Sequence, residues 1–149
     1  MFQTSKILPY PADFLKEIVA DVEQYPVFLP MLKAVAIYPK TDNFFEADLT
    51  IGSSAFEKTY RSEVFIFDDA VEAKAKPDNT FKFLESRWHF TNYENNRSLV
   101  NFSVDFRLQS TLLQLTVGKF LESTAQMMMT AFEQRATRLW RQPEDDYEV

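Results

Sequence analysis

Apolar and polar side chains alternate without interruption in three stretches: Phe45–Ile51, Val71–Ala75 and Val100–Leu108. Period-2 alternation marks a strand with one face in a core and the other in water, which is the habit of antiparallel sheets covered on one side. Four weaker stretches fill the spaces between them. Gln3–Leu8 and Lys33–Tyr38 are short, and Phe56–Phe67 is long and apolar on both faces at its end. In Phe81–Tyr93, Leu84, Trp88 and Phe90 share one face, while Glu85, Arg87 and His89 share the other. Thr41-Asp42-Asn43, Asp68-Asp69, Pro77-Asp78-Asn79 and Asn95-Asn96 punctuate the strands as turns.

A 3-4 spacing replaces the alternation in two regions. Pro11-Ala12-Asp13 opens a short helix carrying Phe14, Leu15, Ile18, Val19 and Val22, and a second short turn covers Tyr25 to Leu29 between Pro26 and Pro30. From Thr111 to Arg141, capped by Ser110 or Thr111, the residues Leu113, Val117, Phe120, Leu121, Thr124, Met128, Phe132, Arg135 and Leu139 predict one long amphipathic helix. It spans about 42 Å at 1.5 Å per residue. The element order predicts an α+β domain: a seven-stranded antiparallel sheet with two short helices between strands 1 and 2. The long C-terminal helix is the only cover large enough for the apolar face. A sheet of that width curls under its own twist and wraps the helix. Between a curved sheet and a straight rod a cavity can open.

Composition narrows the chemistry. One domain, residues 1–141, accounts for nearly all of the 149-residue chain, with an acidic, flexible tail at 142–149. There is no cysteine and only one histidine, His89, which lies on the polar phase of its strand. Disulfides and thiolate chemistry are therefore excluded, and no metal or catalytic metal cofactor is expected. Two glycines leave no phosphate-cradling loop, whereas fifteen phenylalanines supply unusual apolar area. The net charge of −6 is uneven, because Glu144, Asp145, Asp146 and Glu148 sit in the tail and leave −2 on the body. That balance argues against direct nucleic-acid binding, while contact of one face with a membrane surface stays open. The N-terminus reads as neither a signal nor a transit peptide, pointing to a bacterial cytoplasmic protein, peripheral at the inner membrane if attached, or to the matrix side of a mitochondrion after processing.

Val22-Glu23-Gln24-Tyr25-Pro26-Val27-Phe28-Leu29-Pro30 resembles the V-x-x-Y-P-x-F-L-P motif of the ubiquinone-binding (coenzyme Q-binding) START-like proteins. These share the helix-grip fold with polyketide cyclases, lipid-transfer START domains and the birch pollen allergen. Phe81 to Leu84 with Trp88-His89-Phe90, Phe102 to Phe106 with Leu112-Leu113, and Ala131 to Ala136 resemble later family segments in the right order, from Ser5 to Trp140. Two positions depart: Met31 stands where the family usually has Trp, and Asn79-Thr80 where it often has Gly-Pro. The resemblance implies a non-enzymatic carrier of ubiquinone supporting respiration. The alternative is the role of close relatives that act as toxins against ribosomal subunit association. A cyclase-like enzyme is third, and the outward phase of nearly all carboxylates counts against it.

Candidate ligand contacts follow. Tyr25, Phe28, Leu29 and Met31 form a lid, or else a rigid connector. Phe56, Tyr60, Trp88, Phe90, Phe102 and Phe106 from the sheet, with Leu113, Val117, Phe120, Leu121 and Met128 from the helix, line a site or are plain core. Arg135 interrupts the apolar stripe, either paired with Asp13, Glu17 or Asp21, or donating to a quinone carbonyl. Of Met127, Met128 and Met129, at least one faces outward. A pocket of roughly 300–1,000 Å³ would take the head group and a few isoprene units.

Overall fold

The computed structural model describes residues 1–147, with side chains described through Trp140. Strand β1 (Phe2–Leu8) leads into helix α1 (Ala12–Ala20), a 3₁₀ turn (Val22–Gln24) and helix α2 (Tyr25–Phe28). Six strands follow: β2 (Leu32–Ile37), β3 (Phe44–Gly52), β4 (Glu57–Ile66), β5 (Ala70–Ala75), β6 (Phe81–Tyr93) and β7 (Arg97–Leu108). Helix α3 (Thr111–Tyr147) closes the chain. It runs six residues past the expected end at Arg141; of the tail expected at 142–149, the side chains and the last two residues lie outside the described part.

All seven strands form one antiparallel sheet in the order β1-β7-β6-β5-β4-β3-β2. Consecutive strands from β2 onward are neighbours, as hairpin connections dictate. β1 and β2 take opposite edges, so α1 and α2 must cross from one edge to the other over the concave face. The β6–β7 hairpin turns at Asn95 and Asn96, both with positive φ (61° and 58°), a conformation that asparagine adopts more readily than most residues.

The alternation fixes which face is buried. Phe45, Ala47, Leu49 and Ile51 of β3 are buried, as are Val100, Phe102, Val104 and Leu108 of β7. The apolar end of β4 has a different cause: Phe65 faces outward, where it meets its cross-strand partner Phe44 with ring centroids 5.2 Å apart. Helix α3 starts with Ser110 Oγ accepting the Leu113 N–H at 3.1 Å, an ordinary N-cap. Its buried stripe is Val117, Leu121, Ala125, Met129, Phe132 and Ala136.

The two halves of α3 are held differently. Trp140 packs against Tyr10 and Phe14 at 5.6 and 4.9 Å, Tyr10 Oη bonds Thr137 Oγ1 at 2.7 Å, and Lys6 pairs with Glu133 at 2.6 Å. Phe132 receives the edges of Tyr25 and Phe28. In the first half the one ring pair among the described residues is Phe56–Phe120, at 4.9 Å.

Candidate ligand cavity

A cavity of about 150 Å³ lies between the concave sheet and the middle of α3. Its position follows from side-chain size. Strand β5 contributes Ala73 and Ala75, β4 contributes Ser62, β6 contributes Ser86, and α3 faces them with Thr124 and Ala125. Ser62 stands opposite Ala75, and Ala73 opposite Ser86, so the small residues form a continuous shallow floor across three strands. Leu49, Val71, Trp88, Phe120 and Met128 wall it in. The half-exposed residues Tyr25, Met31 and Phe120 mark its rim.

The wall contains no carboxylate, imidazole, ammonium or guanidinium group. Its titratable members are two tyrosines. Burial pushes the Tyr25 hydroxyl above its ordinary value, and the Asp21 carboxylate and Tyr60 add to the effect. Burial alone raises Tyr60. Both stay protonated at neutral pH. Tyr25 already donates to the Val19 carbonyl. The hydroxyls of Tyr60, Ser62, Ser86 and Thr124 make no hydrogen bond to another described residue.

Of the expected contacts, Tyr25, Leu29, Met31, Tyr60, Trp88, Phe120, Leu121 and Met128 line this cavity. The other eight lie elsewhere. Phe102 is buried under Trp88, with rings 4.3 Å apart, and Phe90 borders a void of only about 10 Å³ beside α1. Phe56 caps Phe120 at the rim, while Leu113 and Val117 pack nearer the start of α3. Phe106 fills the space against Gly118, where an added Cβ would meet its ring at 3.5 Å. Phe28 and Arg135 share a separate surface groove, the guanidinium 5.3 Å over the Phe28 ring.

Arg135 therefore does not point at the main cavity. Among the described residues it forms no ion pair with Asp13, Glu17 or Asp21, although Glu17 and Asp21 border the same groove. At an exposed site an aromatic face and a solvated carboxylate are worth about the same to a guanidinium, about 0.5–1 kcal/mol, so the Phe28 contact costs little. The methionines divide as helical geometry requires: Met127 is exposed, Met128 lines the cavity and Met129 is buried. His89 is half-buried and lies 3.0 Å from Asp69, and no group of three or more His, Cys, Asp or Glu converges among the described residues.

The pocket is smaller than the expected 300–1,000 Å³, because large side chains close both ends and only the small-residue floor leaves room. A larger hollow of about 330 Å³ lies on the outer sheet face. It is polar, and its members Arg87 and His89 face Glu72 and Asp69, each 2.9 to 3.0 Å away. It does not suit an apolar guest. The floor has its own signal in the sequence, the small residues Ala73 and Ala75 on the inner phase of β5, which aromatic content alone does not reveal.

A seven-stranded sheet gripping a C-terminal helix over an uncharged hollow defines a class of ligand-binding domains. The family model described as polyketide cyclase / dehydrase and lipid transport matches residues 8–133, and the chain belongs to that family. It is 30% identical over 139 residues to the ribosome association toxin RatA of Rickettsia prowazekii, covering 91% of this chain and 94% of the toxin. It is 26% identical to the mitochondrial coenzyme Q-binding protein COQ10 homolog B of Xenopus laevis, covering 96% of this chain and 60% of that protein. The crystal structure of the Zhui aromatase/cyclase from Streptomyces superposes with a TM-score of 0.84 over 95% of this chain and 96% of the cyclase, at 14% identity. That likeness concerns the fold.

Proposed function

We propose that this chain binds a polyprenyl quinone, ubiquinone in the first place, without chemical conversion, and serves respiratory electron transfer by holding it. The observation that carries this reading is an uncharged apolar cavity furnished with unpartnered hydroxyls. The relative named as a coenzyme Q-binding protein supports it. Apolar burial is worth about 0.8 kcal/mol per methylene, so even one partly buried isoprene unit adds on the order of 3 kcal/mol. The cavity has room for a ring and little more, so the tail stays in the rim or in the bilayer. A tail left in the bilayer would put handling at a membrane surface; no described helix is long and apolar enough to cross a membrane. The wall offers no general acid or base beyond two protonated tyrosines, which favours binding over catalysis.

Purified protein extracted with organic solvent is expected to yield a stoichiometric quinone by mass spectrometry. Extracts without quinone, together with no retention of added quinone, contradict the reading. The identity to RatA across nearly the whole chain favours a second reading, action on the ribosome. It predicts co-sedimentation with ribosomal subunits and fewer assembled ribosomes on overproduction.

A further inference from the structure

The floor of the cavity is flat, small and rimmed by donors. Ala73 and Ala75 form its centre, with Ser62 across one edge and Ser86 across the other, and Thr124 faces them from α3. Ser62 is 1% exposed and has no hydrogen-bond partner among the described residues. Buried hydroxyls are normally satisfied, so the Ser62 hydroxyl, facing one hollow together with those of half-buried Tyr60, Ser86 and Thr124, marks where an oxygen-bearing ligand belongs. The volume of about 150 Å³ is the size that in an apolar protein interior accepts a single benzene-like ring.

We propose that the cavity admits its ligand head first, as one oxygen-substituted ring laid over Ala73 and Ala75. Ring oxygens accept hydrogen bonds from the Tyr60 and Ser62 hydroxyls, and the tail leaves past Met31 and Phe120. This selects one-ring heads over fused three-ring heads by size, and oxygenated rings over plain chains by hydrogen bonding. The inference rests on the reading that the cavity binds a quinone. A site built to hydrogen-bond a ligand discriminates against an analogue lacking the partner, because its own buried groups are then left unpaired.

Equilibrium dialysis of the full chain against three probes with the same ten-carbon tail tests it. The probes are a dimethoxy-methyl-1,4-benzoquinone, a 9,10-anthraquinone and the tail as a plain alcohol. The benzoquinone is expected to bind about tenfold or more tighter than either competitor. Equal or tighter binding of the anthraquinone or the alcohol overturns the head-first, one-ring proposal and leaves an apolar-ligand role standing. No binding of any probe overturns the quinone reading itself. Replacing the donors together, Tyr60→Phe with Ser62→Ala, should weaken the benzoquinone about fivefold or more and leave the alcohol unchanged; equal effects on both contradict the proposal. Ala73→Leu, which fills the floor, should abolish benzoquinone retention while the urea midpoint holds or rises, and unchanged retention contradicts the assigned place of the ring.

Discussion

Ser98 is fully buried at the start of β7, where its hydroxyl donates to the Tyr10 carbonyl at 2.6 Å. That bond ties the β1–α1 corner to the central sheet. Ser98→Ala leaves the carbonyl without a partner in a dry site, so urea denaturation should show a loss of about 1–3 kcal/mol. An exposed site makes the contrast. Met127 projects from the outer face of α3, and Met127→Ala should change stability by no more than about 0.5 kcal/mol. A comparable loss at both positions would mean that burial is misassigned along the helix.

At the scale of elements, α3 is anchored at its second half and free enough in its first half to border a cavity. Phe132 is the hub, since Trp88 of β6 and the rings of Tyr25 and Phe28 all pack on it within 5.3 Å. Phe132→Ala removes a buried ring from this junction and should cost about 3–5 kcal/mol, read as a fall in Tm. The same rings fix α2 in place, so Tyr25-Pro26 to Leu29 acts as a wall as well as a connector. Seven strands and three helices were legible in the chain because each strand carries one polar face and α3 carries a long apolar stripe. Half of the candidate contacts were not legible. Period 2 places Phe90, Phe102 and Phe106 on the inner face correctly, yet it is silent on which inner residues meet one another and which meet space. That depends on Ala73, Ala75, Ser62 and Ser86, whose smallness matters only once β4, β5 and β6 are known to be adjacent. Arg135 lies 5.3 Å over the Phe28 ring instead of in the expected ion pair, a contact that helical spacing alone does not reveal.

Across the whole molecule the outer sheet face is a charged lattice. Arg61 Nε donates to Asp48 at 2.6 Å, and the guanidinium lies over Tyr38 at 4.1 Å. Hydrogen bonds from Arg61 and then Tyr38 hold the Asp48 carboxyl below its ordinary value, and Lys76 does the same for Glu46. A carboxyl lowered in the folded state stabilises above its unfolded value of about 4 and loses that contribution as pH falls through the folded value. Stability should therefore be level near neutrality and decline below about pH 4. The gap between the protein and Asp48→Asn should close over the same window when urea midpoints are compared. Both groups are half-buried on the outer face, where solvent still screens them, so the effect is small and weakens with salt.

The inner face holds the cavity, and Trp88 reports on it directly. It lines the cavity, whereas the second tryptophan, Trp140, packs with Tyr10 and Phe14 beside α1. In the Trp140→Phe variant, titration with a short-tailed benzoquinone should quench Trp88 emission along a saturable curve with one site per chain, and Ala73→Leu should remove the saturation. Quenching that rises linearly without limit, at the rate found for free tryptophan, would mean that no ring enters between the sheet and α3.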